Sequence, residues 1–146
     1  MINQADLPFH VSAGASNLGI VKTTEGSFHV YRTGAFHELI TGWKFMIASE
    51  RLASVLGALG DPHLTLTPAT IVGVPEGVSI SKYCELSISS ELDPRNLANV
   101  DIKGKKVWQF TGEHLFVSPE ARLYLKNNGF AELRFEPGFY HFAGKM

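Results

Sequence analysis

Six histidines, one cysteine and a serine set between a histidine and a glutamate are the residues whose types allow catalysis or metal binding. The histidines are His10, His29, His37, His63, His114 and His141. None forms an H-x-x-x-H pair or joins a carboxylate in a zinc pattern, so only convergence in space would bring them together. Cys84 alternates with Leu86 and Ile88 and reads as a buried thiol, because no helix start or basic cluster adjoins it to favour the thiolate. A single cysteine permits neither an internal disulfide nor a multi-cysteine zinc site. Ser118 lies near His114 and Glu120, but the chain has no G-x-S-x-G elbow. It also has no G-x-x-x-x-G-K-[ST] and no G-x-G-x-x-G. Gly14 to Gly19 is small and flexible, yet no helix follows to aim its amides at a phosphate, so it reads as a turn. Lys103, Lys105 and Lys106 around Gly104 read as a solvated turn. The expectation is no catalytic, cofactor-binding or metal-ligating residue, and no enzyme. If the chain were a small enzyme, its site would be assembled from distant polar groups on strands, with His29, Tyr31, His63 and Glu132 as first suspects.

The elements that would position these residues are clearest in the last third. Leu115-Phe116-Val117 is a short apolar run, and Ser118-Pro119 a helix start, with the serine hydroxyl at the N-cap and proline in the first turn. Ala121, Tyr124 and Leu125 share one helix face, and Asn128-Gly129 supplies a left-handed stop. Residues 132 to 136 alternate as a half-buried strand does, with Glu132, Arg134 and Glu136 on the solvent face, and Pro137 closes them. The same unit stands 69 residues earlier, with Ser49 for Ser118, Leu56 for Leu125, Gly60 for Gly129, Leu64 for Leu133 and Pro68 for Pro137. Residues 45–68 and 114–137 are therefore expected to form two tandem strand–helix–strand modules, in a pseudo-two-fold α+β arrangement. The repeat assigns Ser118 to capping.

Elsewhere, residues 1 to 17 read as a loose arm. Strands are expected from Gly19 to Lys22, Ser27 to Arg32, Ala69 to Val74 and Lys82 to Ser89. Residues 35 to 39 read as one or two helical turns, Asn96 and Leu97 as a short helical turn, and residues 100–102 and 106–110 as a hairpin around Gly104. Gly57, inside the first helix, implies either a close packing contact or a frayed helix. Trp43, Trp108, Tyr140 and Phe142 are expected mostly in the core.

The 146 residues suit one domain, 1–146. Hydrophobic residues at 45% and charged residues at 18% describe a globular chain rather than a disordered one. A formal net charge of −1, with no basic stripe, argues against a nucleic-acid partner. Asp6 and Pro8 interrupt the N-terminal region, so no secretory signal is expected, and no window approaches the ~18 apolar residues of a membrane span. A cytoplasmic location follows as the expectation.

Val117-Ser118-Pro119-Glu120, followed by the finish from Asn128 to Pro137, resembles the C-terminal end of the immunity-protein 43 type domain of bacterial polymorphic-toxin systems. The pattern shared with that group and with the related double-CxxCG immunity proteins falls on Val117, Ser118, Leu125, Gly129, Leu133, Phe135 and Pro137, with Val107 to Phe110 as the upstream tryptophan strand. The likeness covers about the last forty residues. Cys84 stands alone, so the zinc role of the cysteine-bearing branch does not carry over. The resemblance implies a non-catalytic protein that binds a cognate toxin or effector and occludes its active site, with no cofactor and no catalytic residue. The partner-binding residues do not carry over. The alternatives from the residues alone are the small enzyme above and a non-catalytic, oligomeric binding domain.

Overall fold

The strands follow the period-two runs of β-favouring residues. In the computed structural model, which describes residues 6–14 and 16–139, they are β1 (Phe9–Ser12), β2 (Gly19–Lys22), β3 (Phe28–Arg32), β4 (Leu39–Gly42), β5 (Phe45–Ser49), β6 (Leu64–Ala69), β7 (Ile71–Val72), β8 (Tyr83–Ile88), β9 (Val107–Phe110), β10 (His114–Val117) and β11 (Arg134–Pro137). Two helices, α1 (Glu50–Ala58) and α2 (Pro119–Asn127), and a 3-10 turn (Pro94–Asn99) complete the described residues. The strands form a sheet in the order β11-β1-β10-β9, a second in the order β4-β5-β8-β6, and a three-stranded sheet, β2-β3-β7. The fold is a small, strand-rich α+β domain.

Alternation decides what each sheet buries. Met46 and Ala48 of β5, Leu115 and Val117 of β10, Phe9 and Val11 of β1 and Leu86 and Ile88 of β8 enter one common core with both helices. The opposite faces have separate covers. Phe45, Ile47 and Tyr83 pack against Phe28 of β3, with Ile20 and Ile71 beside them. Trp108 and Phe116 pack against Leu92, with Leu97, Val100, Ile102 and Phe139. A strand buried on both faces reads as an unbroken apolar run, which explains Phe45-Met46-Ile47-Ala48.

Both helices begin as the serines predict. The Ser49 hydroxyl accepts from the Leu52 amide and the Ser118 hydroxyl from the Ala121 amide. Gly60 and Gly129 follow the helices at φ +78° and +84°, where a side chain would strain the backbone. At Gly57 a β-carbon would stand 3.2 Å from Leu66 Cδ1, so the glycine is the expected close contact, here between α1 and β6.

Three local expectations are corrected. Of the arm expected at residues 1 to 17, residues 1–5 and 15 lie outside the described residues, and Phe9–Ser12 is not loose: β1 sits inside its sheet, with Phe9 opposite both Val117 and Pro137. Its partners lie more than a hundred residues away, so no local pattern reveals it. Residues 35 to 39 form no helix; Leu39 instead opens β4, which pairs with β5. Residues 100–102 form no hairpin with β9, because Val107 pairs with Val117 of β10 and leaves Val100 and Ile102 to cover the Trp108 face.

Candidate functional site

The four suspects for an assembled active site do not converge. His29 is exposed on β3, with Nε2 3.1 Å from the Ser27 hydroxyl. Tyr31 is exposed on the same strand and His63 in the turn before β6, and these two line different clefts. Glu132 is a fastener. One of its oxygens accepts from the Glu38 amide at 2.7 Å and the other lies 3.5 Å from His37 Nδ1. Glu38 in turn accepts from the Ser49 hydroxyl and from Arg51 Nε at 2.8 Å, and the Arg51 guanidinium lies 4.1 Å from the Phe130 ring centroid. This network ties the α1 cap to the loop between α2 and β11.

Beneath the network, Tyr83 donates to the His37 carbonyl at 2.6 Å. Burial pushes its phenol up to about 12, with the Glu38 and Glu132 carboxylates adding to the rise against a lowering bond to Ser81. It therefore remains a neutral donor at physiological pH.

Three histidines do meet. His10, His37 and His114 line a cleft of about 260 Å³ beside β1. The His10 ring packs 5.3 Å from His114 and 5.2 Å from Phe116. Among the described residues, no group of three or more His, Cys, Asp or Glu is placed to hold a metal ion. His141, Tyr140 and Phe142 lie outside the described residues. Cys84 is half-buried, packed against the core rather than within it.

The surface feature that stands out is apolar. Trp43 is 76% exposed, Tyr31 68% and Val21 46%. Of the four aromatics expected mostly in the core, Trp108 is buried and Trp43 is an exception. It occupies the two-residue turn between β4 and β5, and Lys44 beside it holds φ 65°, an uncommon conformation for a residue with a side chain. Trp43, Tyr31 and Val21 line a groove of about 260 Å³ floored by Ile20, Ile40 and Phe45. Two glycines shape it. A β-carbon at Gly19 would come within 2.6 Å of the Tyr31 ring, and one at Gly42 would clash with the Phe45 ring. Two cations adjoin the lining in sequence without lining the groove: Lys44 follows Trp43, and Arg32 follows Tyr31, its guanidinium 5.9 Å from that ring's centroid and its Nε donating to the Asn17 carbonyl at 2.6 Å. Neither cation has a carboxylate partner among the described residues. Among the described residues, the groove's lining includes no carboxylate, histidine, lysine or arginine.

Asp61 was not among the suspects, although an acidic residue directly after a helix-stopping glycine signals an Asx turn. Its side chain is 4% exposed. Oδ1 accepts from the His63 amide and faces His63 Nδ1, both at 2.9 Å, and Oδ2 accepts from the Val107 amide at 2.9 Å. Burial pushes the carboxyl up, but the Val107 and His63 amides and the His63 ring together hold it below its ordinary value of 3.8. A carboxyl depressed in the folded state stabilises the fold above the unfolded pKa of about 4, and that contribution disappears as pH falls through the folded value. Asp61→Asn is expected to cost about 2 kcal/mol near neutral pH. Its urea midpoint should also fall less than the wild-type midpoint between pH ~5 and ~2. Parallel curves for the two proteins over that range would remove Asp61 from the acid response.

The chain matches no family model, and no curated protein or solved structure is significantly similar to it. No helix among the described residues is long and apolar enough to cross a membrane.

Proposed function

We propose that this is a binding protein whose partner docks on the Trp43 groove, and that the partner is a bacterial toxin which the protein neutralises, in the cytoplasm of the producing cell, by covering its active site. The observation that carries the docking half is the exposure of Trp43 and Tyr31 side by side with Val21. Trp, Tyr and Arg are the residues that dominate binding energy at interfaces, and an exposed apolar cluster with a polar rim is how such a site looks before its partner arrives. The toxin half rests on the likeness of the last forty residues to immunity domains. The scattering of the polar suspects weighs against the enzyme reading. The test is to co-express the protein with the toxin candidate encoded beside its gene. A one-to-one complex and rescue of growth support the proposal; a toxic neighbour that it neither binds nor neutralises sinks it.

We also infer that the two four-stranded sheets are copies of one module. Support comes from the pairing register. Leu39 opposite Ala48 answers to Val107 opposite Val117, Ile47 opposite Glu85 to Phe116 opposite His10, and Leu66 opposite Leu86 to Phe135 opposite Val11. On this reading β1 fills in the second copy the place β8 fills in the first. The second copy is then closed by β1, which precedes every strand of the first copy in sequence. The Gly138 amide donates to the Pro8 carbonyl at 2.7 Å, so the end of β11 and the start of β1 are adjacent. A circular permutant that links the termini through a flexible spacer and opens the chain in the turn of residues 75–78 moves the break to the equivalent connection of the first copy. It is expected to unfold cooperatively with an unchanged near-ultraviolet spectrum. A permutant without fixed tertiary structure would count against the duplication.

A further inference from the structure

The end strands of the three sheets are defended unequally. An open strand edge carries amides and carbonyls that would pair with any extended chain, and folds blunt it with charge, proline, a bulge or a cover. β11 carries Arg134, Glu136 and Pro137, and β6 carries Pro68. The outer edge of β9 is covered: the Leu92 amide donates to the Gln109 carbonyl and the Gln109 amide to the Ser90 carbonyl, both at 2.9 Å. β7 has only two residues, and β2 carries Lys22 and an irregular register between Gly19 and Ile20. β4, Leu39-Ile40-Thr41-Gly42, has neither charge nor proline, and its register with β5 is unbroken.

That register also fixes which backbone groups of β4 point outward. Along an antiparallel pair, residues that exchange hydrogen bonds alternate with residues that do not. The Ser49 amide donates to the Glu38 carbonyl at 2.7 Å, so Ile40 and Gly42 bond toward β5, and Thr41 turns its amide and carbonyl away from it. No described residue bonds the Thr41 backbone from that side.

This edge opens onto the histidine cleft and the Trp43 groove, which share Leu18, Ile40 and Thr41. The side chains of Ile40 and Thr41 point to opposite faces of their sheet, yet both residues line both clefts. The clefts therefore follow the outer edge of β4 rather than lying over one face. Gly19, Ile20 and Val21 of β2, the end strand of another sheet, line the same groove. A solvated edge explains the outward amide alone. It does not explain an undefended edge set in an uncharged groove beside Trp43 and Tyr31.

We propose that the partner enters the Trp43 groove as an extended, uncharged segment that adds to β4 as a further strand, pairing with the Thr41 amide and carbonyl and placing alternate apolar side chains against Ile20 and Ile40. The proposal rests on the reading of that groove as the docking surface and specifies how the partner is held.

The test is calorimetric titration of the full-length protein and its variants with the toxin candidate encoded beside its gene. Thr41→Pro removes the outward amide without removing a bond to β5, and proline is tolerated on edge strands. It is expected to weaken binding by at least ~10-fold. Thr41→Val keeps the amide and should bind as the wild type does. Near-ultraviolet circular dichroism reports whether each variant folds. Hydrogen exchange needs no variant: the Thr41 amide should exchange at least ~10-fold more slowly in the wild-type complex than in the free protein. The added strand is overturned, with the groove still the docking surface, if Trp43→Ala weakens binding while a folded Thr41→Pro does not, or if the Thr41 amide gains no protection. It is also overturned if Thr41→Val loses affinity as Thr41→Pro does, since the side chain would then be what is recognised. A free protein that sediments as a dimer, and as a monomer when Thr41 is proline, has a second copy of this chain on the edge and overturns it too. If the toxin candidate does not bind, or binds all variants alike including Trp43→Ala, the docking surface and the added strand fall together.

Discussion

Ser118→Ala is expected to destabilise the protein by about 2–4 kcal/mol, more than any other exchange of a single hydroxyl for hydrogen among the described residues. Ser118 is fully buried. Its hydroxyl accepts from the Ala121 amide at 3.3 Å and the Lys106 amide at 2.9 Å, and donates to the Gly104 carbonyl at 2.6 Å. Alanine leaves all three backbone groups without that partner; the Ala121 amide is buried and the Lys106 and Gly104 groups part-buried, and an unsatisfied buried group costs more than the net value of the bond it lost. The cap is therefore also the rivet between α2 and the chain entering β9. Ser49→Ala should cost less, since the Glu38 carboxylate it leaves behind keeps Arg51. Urea denaturation of the two variants measures both effects. If Ser118→Ala stayed as stable as the wild type yet lost the ability to neutralise a toxin, the serine would be functional and its assignment as a cap wrong.

This serine also shows what was legible in the sequence. A cap is a local device: Ser, Pro or Glu after it, an apolar stripe at three and four residues, and glycine at the stop lie within a dozen positions of each other, and they recur at Ser49. What is not local was not legible. His10 looks polar in a short arm, yet it stands between Phe116 and Glu136 in mid-sheet, because strands from the far end of the chain supply its neighbours. The second and third bonds of Ser118 are of the same kind, invisible until residues 104–106 fold back on it.

The candidate sites divide in the same way. Gly42-Trp43-Lys44 between two apolar runs carries a readable signal, since a two-residue hairpin turn exposes its residues. Tyr31 and Val21 beside it depend on how β2 and β3 pack over β5, which no spacing encodes. The Asp61 turn was readable after Gly60, but its bond to Val107 spans the two halves of the chain.

Trp43→Ala is expected to reduce affinity for the proposed toxin partner by roughly 30- to 1,000-fold, about 2–4 kcal/mol, as for a central interface anchor. The same substitution should change stability by no more than about 0.5 kcal/mol, because a side chain that is 76% exposed has little packing to lose. That separation between binding and stability is the signature of the proposal, and it is the reverse of Ser118→Ala. Tyr31→Ala should follow Trp43→Ala, and Val21→Ala should cost much less, since a small aliphatic group at the edge chiefly excludes water. Charge acts differently. Arg32→Glu and Lys44→Glu, next in sequence to Tyr31 and Trp43, should slow association and alter its salt dependence if the toxin presents an acidic face near them. Binding kinetics at two ionic strengths, with unfolding curves for every variant, resolve the two contributions. Retention of wild-type affinity within about threefold by a folded Trp43→Ala variant would move the docking surface elsewhere, since no other exposed position in the groove combines this ring area with this exposure. Loss of affinity with a matching loss of stability would instead make the tryptophan part of the hairpin's own structure, and the groove would cease to be a site.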